Sequence, residues 1–254
     1  EMLRSLVGSE MCIRDRLISH KHNGLIKIIS GIRRCGKSYL LSELFRKHLL
    51  AEGVKKDHII HIALDDYENK QYRNPDNCYK YVKSSIKDDE MYYLLLDEVQ
   101  MMDSFEDVLN GFLHIKNLDV YVTSSNSKFL SSDVVTEFRG RGDEIRVYPF
   151  SFAEFYSAVG GDWSDTWREY YTYGGMPLIL SKKTDEEKAK YLQDLFRETY
   201  IRDIEERNKI KNNDELEELI NVIASGIGCL TNPQKLASTF NSCLLYTSPS
   251  PRDS

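Results

Sequence analysis

Long apolar runs are missing from this sequence: the longest, such as Tyr92 to Leu96, fall far short of the roughly 20 residues a membrane-spanning helix needs. No membrane span is expected. Cysteine is sparse and unpatterned. The five cysteines, Cys12, Cys35, Cys78, Cys229 and Cys243, include no C-x-x-C pair and stand at no ligand spacing from a histidine, so a reduced, cytoplasmic thiol set is the expectation. A basic excess is also absent. Against 34 Lys and Arg stand 40 Asp and Glu, a net charge of −6, which gives no global attraction to nucleic acid, although a local basic face can sit under an acidic total. What is there is ordinary for a soluble globular chain: 41% hydrophobic and 29% charged residues. The 254 residues suffice for one large or two small domains.

The two ends do not read like protein. Leu6 to Asp15 (LVGSEMCIRD) is encodable by a nucleotide string whose reverse complement, in a shifted frame, encodes Cys243 to Arg252 (CLLYTSPSPR). Two segments selected for folding have no reason to be antisense to each other, and the string resembles a transposase-type sequencing adapter. Residues 1–16 and 242–254 are therefore expected to be foreign tails and are set aside from fold reasoning. Genuine sequence is expected from about Leu17 to about Asn241.

Between the tails, short apolar runs alternate with helical patterns. Leu25 to Ser30 suits a buried parallel strand, and Ser38 to Leu50 puts Leu40, Leu41, Leu44 and Phe45 on one helical face. Strands are expected at His58 to Leu64, Tyr92 to Leu96, Val120 to Thr123 and Ile145 to Val147, with helices at Tyr79 to Ile86 and Phe105 to Ile115. That alternation predicts an α/β fold with a parallel sheet covered by helices on both faces, over residues 17–150. After Pro149 the pattern turns all-helical: Ser151 to Ser157, Trp163 to Tyr173, a break at Gly174-Gly175, then Glu186 to Arg207. A smaller helical region over 151–210 follows from this. Further on, Leu216, Leu219, Ile220 and Ile223 form an apolar stripe, and Asn232-Pro233 has the cap order of a new helix.

Gly31-Ile32-Arg33-Arg34-Cys35-Gly36-Lys37-Ser38 fits G-x-x-x-x-G-K-[ST], the Walker A pattern, directly between a strand and a helix that continues with Tyr39. Glycines let backbone N–H groups turn inward on a phosphate, and the helix N-terminus adds partial positive charge. Lys37 can reach the β- and γ-phosphates, and the Ser38 hydroxyl can ligate Mg²⁺. Cys35 is either a plain loop residue or a thiol with lowered pKa beside the helix terminus. Tyr92 to Glu98 is an apolar strand that delivers two carboxylates at its C-terminal end, the edge of a parallel sheet where ligands bind. In this Walker B position, Asp97 is expected to hold the Mg²⁺ and Glu98 to activate the attacking water. Ser124, Ser125 and Asn126 follow the next strand, as γ-phosphate sensors or as a helix N-cap run. Arg139 and Arg141 are candidates for an arginine finger, or for surface ion pairs.

The segments GIRRCGKSYLL, LLLDEVQ, VYVTSSNSKFLSSDVVTEFRGRGDEIRVYPFSFAEF, YGGMPLIL and YIRDIEERN together resemble the bacterial and archaeal AAA-type ATP-binding proteins that carry a C-terminal domain of unknown function. The resemblance implies an AAA-like P-loop NTPase core, a helical segment and a winged-helix part. In this chain the winged-helix part would occupy 211–241 and remain incomplete. The resemblance also places Ser125 and Asn126 at the sensor position, and it favours ATP over GTP. Family members usually show glycine where this chain has Ser124. The function expected is Mg²⁺-dependent ATP hydrolysis coupled to movement of the helical region, with a homo-oligomer possible. The alternative is a nucleotide-gated module that hydrolyses little and recruits DNA or a protein through its C-terminal part.

Overall fold

A computed structural model of the chain describes residues 10–125, 140–197, 213–226, 234–235 and 238, the side chains of 10–14 and 213–217 excepted. The sheet is built from strand parity. In β1 (Ile26–Ser30) Ile26 and Ile28 join one apolar cluster and Ile29 the other. In β3 (Tyr92–Asp97) Tyr92, Leu94 and Leu96 face the first cluster, and Tyr93 and Leu95 the second. In β4 (Leu118–Ser124) Val120 and Val122 oppose Tyr121 in the same way. Alternate side chains point to opposite faces, so burial of both sets means helices on both sides.

The first face is covered by α3 (Pro75–Ser85) through Cys78 and Val82, and by α4 (Phe105–Phe112) through Phe105, Val108, Leu109 and Phe112. The second is covered by α1 (Glu10–Ser19) through Leu17, and by α2. This α2 is one helical run, α over Lys37–Tyr39, wound wider over Leu40–Phe45 and α again over Arg46–Ala51. It buries Leu40, Leu41, Phe45 and Leu49. Together with β2 (Ile59–Ala63) and β5 (Gly142–Arg146), the strands form a five-stranded parallel sheet in the order β2-β3-β4-β1-β5. The expected α/β fold is the one observed. Because β4 lies between β1 and β3, the C-terminal tips of these three strands are neighbours.

The elements differ from expectation where the apolar pattern was not the deciding force. Helix α3 begins at Pro75, not at Tyr79, because the Asn74 side chain accepts a hydrogen bond from the Asn77 N–H at 3.1 Å and Pro75 occupies the first turn. Strand β5 begins at Gly142; as an edge strand it buries only Ile145 fully, so its first half carries no apolar signal. Helix α1 begins at Glu10, inside the segment set aside as foreign, and Leu17 near its end is fully buried.

The chain divides into two compact units, Glu1–Thr184 and Asp185–Ser254. The first continues past the sheet into α5 (Phe152–Val159), opened by a reciprocal Ser151–Glu154 capping box, and α6 (Trp163–Tyr173), capped by Asp162. Phe152 meets Trp163 and Trp167 edge-on, with ring centroids 5.5 and 4.8 Å apart. A tight turn at Pro177–Ser181 follows the Gly174-Gly175 break. The second unit contains α7 (Asp185–Asp194), the first part of the helix expected to reach Arg207, and α8 (Asn213–Ser225), where the apolar stripe falls. The Asn232-Pro233 helix start lies outside the described residues. No described helix is long and apolar enough to cross a membrane.

Candidate functional site

The loop after β1 is shaped by its two glycines. A Cβ on Gly31 would lie 2.3 Å from the Val147 carbonyl oxygen, so only glycine lets the loop start this close to the chain leaving β5. Gly36 takes φ +102° at the head of α2, a backbone that L side chains rarely adopt. The loop curls around Lys37, whose Nζ donates to the carbonyls of Gly31 at 3.0 Å and Ile32 at 2.9 Å. The ammonium is buried inside the curl. Arg33 and Arg34 are exposed, Arg34 in the left-handed region at φ +63°. Ile32 and Tyr39 are half-buried. Cys35 is buried, its thiol directed at the Val147 carbonyl at 3.6 Å. Burial pushes that thiol up, over the opposing pull of Lys37. The lowered-pKa thiol considered from sequence is thereby corrected: desolvation outweighs the helix terminus.

At the tip of β3, Asp97 is buried and accepts hydrogen bonds from the hydroxyls of Thr123 and Ser38. Burial raises its pKa from the ordinary 3.8, against the pull of those two donors. Ser38 and Asp97 are thus already in contact. The next residue, Glu98, holds φ 53°, ψ 51°, a left-handed backbone unusual for any residue but glycine and of the kind that collects at functional sites. Its N–H donates to Thr123 Oγ1 at 2.9 Å. Its carboxylate oxygen Oε2 accepts from the Ser125 hydroxyl at 2.7 Å and from the Gln100 amide. Thr123 therefore bridges both acids, donating to one side chain and accepting from the other's backbone.

Lys37, Ser38, Asp97, Glu98 and Ser125 come together at one sheet edge. Arg141 does not join them. Its carbonyl accepts from Ile26 N–H at 3.0 Å, at the start of β1, and its guanidinium donates to Asn110 at 3.3 Å. The phosphate loop follows the far end of that strand, roughly 13–16 Å away at about 3.3 Å per residue. Asn126 and Arg139 lie outside the described residues.

A cavity of about 460 Å³ opens beside the loop. Gly36, Lys37, Ser38 and Glu98 line its polar end, and Tyr148, Phe150, Pro177 and Leu178 its apolar side. Sequence reasoning did not pick out this apolar wall, nor Thr123 or Gln100. The wall is held by a close approach of backbones. Phe150 N–H donates to the Gly175 carbonyl at 2.8 Å, and a Cβ on Gly175 would lie 2.0 Å from the Phe150 oxygen. Gly175 and Pro177 belong to YGGMPLIL, a segment read from sequence as a helix break and for its resemblance, not as part of the site.

The opposite edge carries a separate polar cluster. Fully buried Lys27 donates to Asp119 and, at 3.0 Å, to the Leu25 carbonyl. Asp119 also accepts from the Tyr121 hydroxyl at 3.0 Å and from His22 N–H at 3.1 Å. Burial pulls the Lys27 ammonium down, over the opposing effect of Asp119.

Residues 23–156 match the AAA domain family, and residues 164–245 match a domain of unknown function, DUF8612. Among curated proteins the chain is similar to an uncharacterized protein of Haemophilus influenzae, 30% identical over 254 residues, covering 97% of this chain and 62% of the relative. It is also similar to an uncharacterized protein of Methanocaldococcus jannaschii, 28% identical over 227 residues, with 83% and 48% covered. The chain thus spans about three fifths and about half of those relatives, as the 62% and 48% figures give. Among solved structures it is similar to the Aeropyrum pernix ORC1 protein in complex with DNA, at 9% identity and a TM-score of 0.45, covering 94% of this chain and 78% of that one. Another is AMPPCP-bound DnaA from Aquifex aeolicus, at 15% identity and a TM-score of 0.41, with the same 94% and 78% coverage.

Proposed function

We propose, on the premise that the chain belongs to the AAA domain family and has its ATP-binding P-loop, that it hydrolyses ATP with Mg²⁺ and couples hydrolysis to movement of the helical region. The observation that carries this reading is the convergence of Lys37, Ser38 and Glu98 on one cavity that also has apolar lining, with Asp97 hydrogen-bonded to Ser38 behind them. Loop N–H groups and the head of α2 would take the phosphates, with Lys37 exchanging two loop carbonyls for phosphate oxygens. Tyr148, Pro177 and Leu178 offer the base an apolar wall.

The Ser38 hydroxyl and the Asp97 carboxylate, in contact and both hard oxygen donors, fit a Mg²⁺ ion. Bound there, the ion would neutralise charge on the β- and γ-phosphates. Glu98 would orient a water and take its proton as the water oxygen bonds to the γ-phosphorus. The bond from phosphorus to the β-phosphate oxygen breaks, leaving ADP and inorganic phosphate. Ser125 and Asn126 are proposed to sense the γ-phosphate. Because Arg141 sits at the opposite sheet edge of its own chain, an arginine finger from it would act on a neighbouring subunit of a homo-oligomer; Arg139 is proposed as the other candidate finger.

The helical region and a winged-helix part at 211–241 are proposed to engage DNA or a protein partner. A reducing, cytoplasmic setting suits the free, buried thiols of Cys35 and Cys78, the latter pushed up to about 12 by burial alone.

Glu98→Gln tests the reading. It keeps size and hydrogen-bonding reach but removes basicity, so nucleotide binding should persist while steady-state hydrolysis falls by at least about tenfold, a well-placed base being worth roughly 10²–10⁴ in rate. Hydrolysis as fast as the parent's would turn the reading over to the alternative, a nucleotide-gated DNA- or protein-binding module.

A further inference from the structure

Gln100 lies in the short turn Val99–Met101, two residues beyond the acid proposed to activate water, and its amide is fully accounted for. Its oxygen accepts from the Ser124 hydroxyl at 2.7 Å. Its nitrogen donates to Glu98 Oε2 and, at 3.2 Å, to Ser125 Oγ. The Ser125 hydroxyl donates in turn to the same Glu98 oxygen at 2.7 Å. This arrangement fixes which way the amide points, since the reverse would set its oxygen against a carboxylate. Glu98 is therefore anchored at its N–H by Thr123 and at Oε2 by two donors. Among the described residues no hydrogen bond engages Oε1, so that oxygen keeps its acceptor capacity for a water.

We infer that Gln100, itself held by Ser124, is a positioning residue that fixes the Glu98 carboxylate for water activation. The inference rests on the reading of Glu98 as the base. It gives a physical role to Ser124. Ser124 is fully buried at the tip of β4, and its hydroxyl supplies the one hydrogen bond shown to reach the Gln100 oxygen. Removing that bond frees the amide to rotate, and an error of about 1 Å at a catalytic group can cost on the order of 10² in rate.

The test is Gln100→Met, which keeps the length of the side chain and removes its hydrogen bonds, made in the full chain. Hydrolysis and the affinity for a fluorescent ATP analogue are measured together. The expected result is a fall in kcat of at least about tenfold with affinity held within about twofold, the mark of an interaction used only in the transition state. Ser124→Gly should lower the same parameter by less, and should add nothing in the Gln100→Met background. Introduced into Glu98→Gln, Gln100→Met should leave the residual rate where it was, because the group it positions is already disabled. An unchanged kcat, a loss confined to affinity, or a further fall in the Glu98→Gln background overturns the inference. If Gln100→Met fails to fold, Ser124→Gly alone decides by the same split. Failure of the parent reading is distinguishable, since Glu98→Gln would then be as active as the parent.

Discussion

At the N-terminal edge of the sheet, Lys27 is wholly buried and its charge meets Asp119, which is itself surrounded by the Tyr121 hydroxyl and the His22 N–H. At the C-terminal edge, Asp97 is almost as buried, but two hydroxyls face it and, among the described residues, no cation pairs with it. Glu98 beside it holds a left-handed backbone. The two edges share strands and core, so the difference lies in what completes the charges. One edge is completed by the chain itself; the other keeps a desolvated acid beside a left-handed backbone.

The largest effect expected from this contrast is at the closed edge. Asp119→Ala strands a buried ammonium, and breaking such a pair costs about 3–5 kcal/mol. Urea unfolding should register that loss, and a change below about 1 kcal/mol would mean that water reaches Lys27. Next comes Lys37→Ala at the open edge, with nucleotide affinity reduced at least tenfold, about 1.4 kcal/mol, and a much smaller change in unfolding midpoint. Lys37 is buried. Among the described residues, however, its hydrogen bonds go to loop carbonyls that water can satisfy in its place. A midpoint shift as large as that of Asp119→Ala would erase the distinction between the edges.

Asp97→Asn sharpens the contrast through pH. Burial raises the folded-state pKa of Asp97 above 3.8, so the folded parent binds a proton more readily than the unfolded chain and gains stability as pH falls through that window. The asparagine variant carries no such titration. Without nucleotide or Mg²⁺, Asp97→Asn should therefore melt slightly above the parent at neutral pH, and the advantage should shrink as pH falls toward 4. An advantage that grows on acidification would contradict the desolvation argument. The smallest effect is expected from removing residues 1–16, which leaves Leu17 in the core. A melting-point loss beyond about 2–4 °C, roughly 1 kcal/mol for a chain of this size, would mean that the part of α1 before Leu17 contributes packing.

How legible the site was depended on chain distance. Gly31, Gly36, Lys37 and Ser38 fall within one eight-residue segment, and Asp97 with Glu98 ends an apolar strand, so spacing alone marked them as candidates. Tyr148, Pro177 and Leu178 come from segments over a hundred residues beyond the loop, and nothing in local pattern joins them. Thr123 looked like one more strand residue; its bridging role exists only because β4 lies between β1 and β3. Arg141 failed to reach the site for a topological reason. It precedes β5, and in a parallel sheet a residue before a strand stands at the edge opposite the one after it. Gln100 was visible in LLLDEVQ, but its partner Ser124 was read as one of a polar run after the strand and as a departure from the usual glycine, with no link to Gln100.

The contact between Phe150 and Gly175 also has a mechanical consequence. The Phe150 N–H is tied to the Gly175 carbonyl, its own carbonyl accepts from the Tyr170 hydroxyl at 2.9 Å, and there is no room between the two backbones for even a methyl group. A joint tied at two points and closed by contact has no play. Since Phe150 lines the cavity and Tyr170 belongs to α6, a displacement of that wall would carry to α6 instead of being absorbed in between, with Gly175 as the rigid coupling.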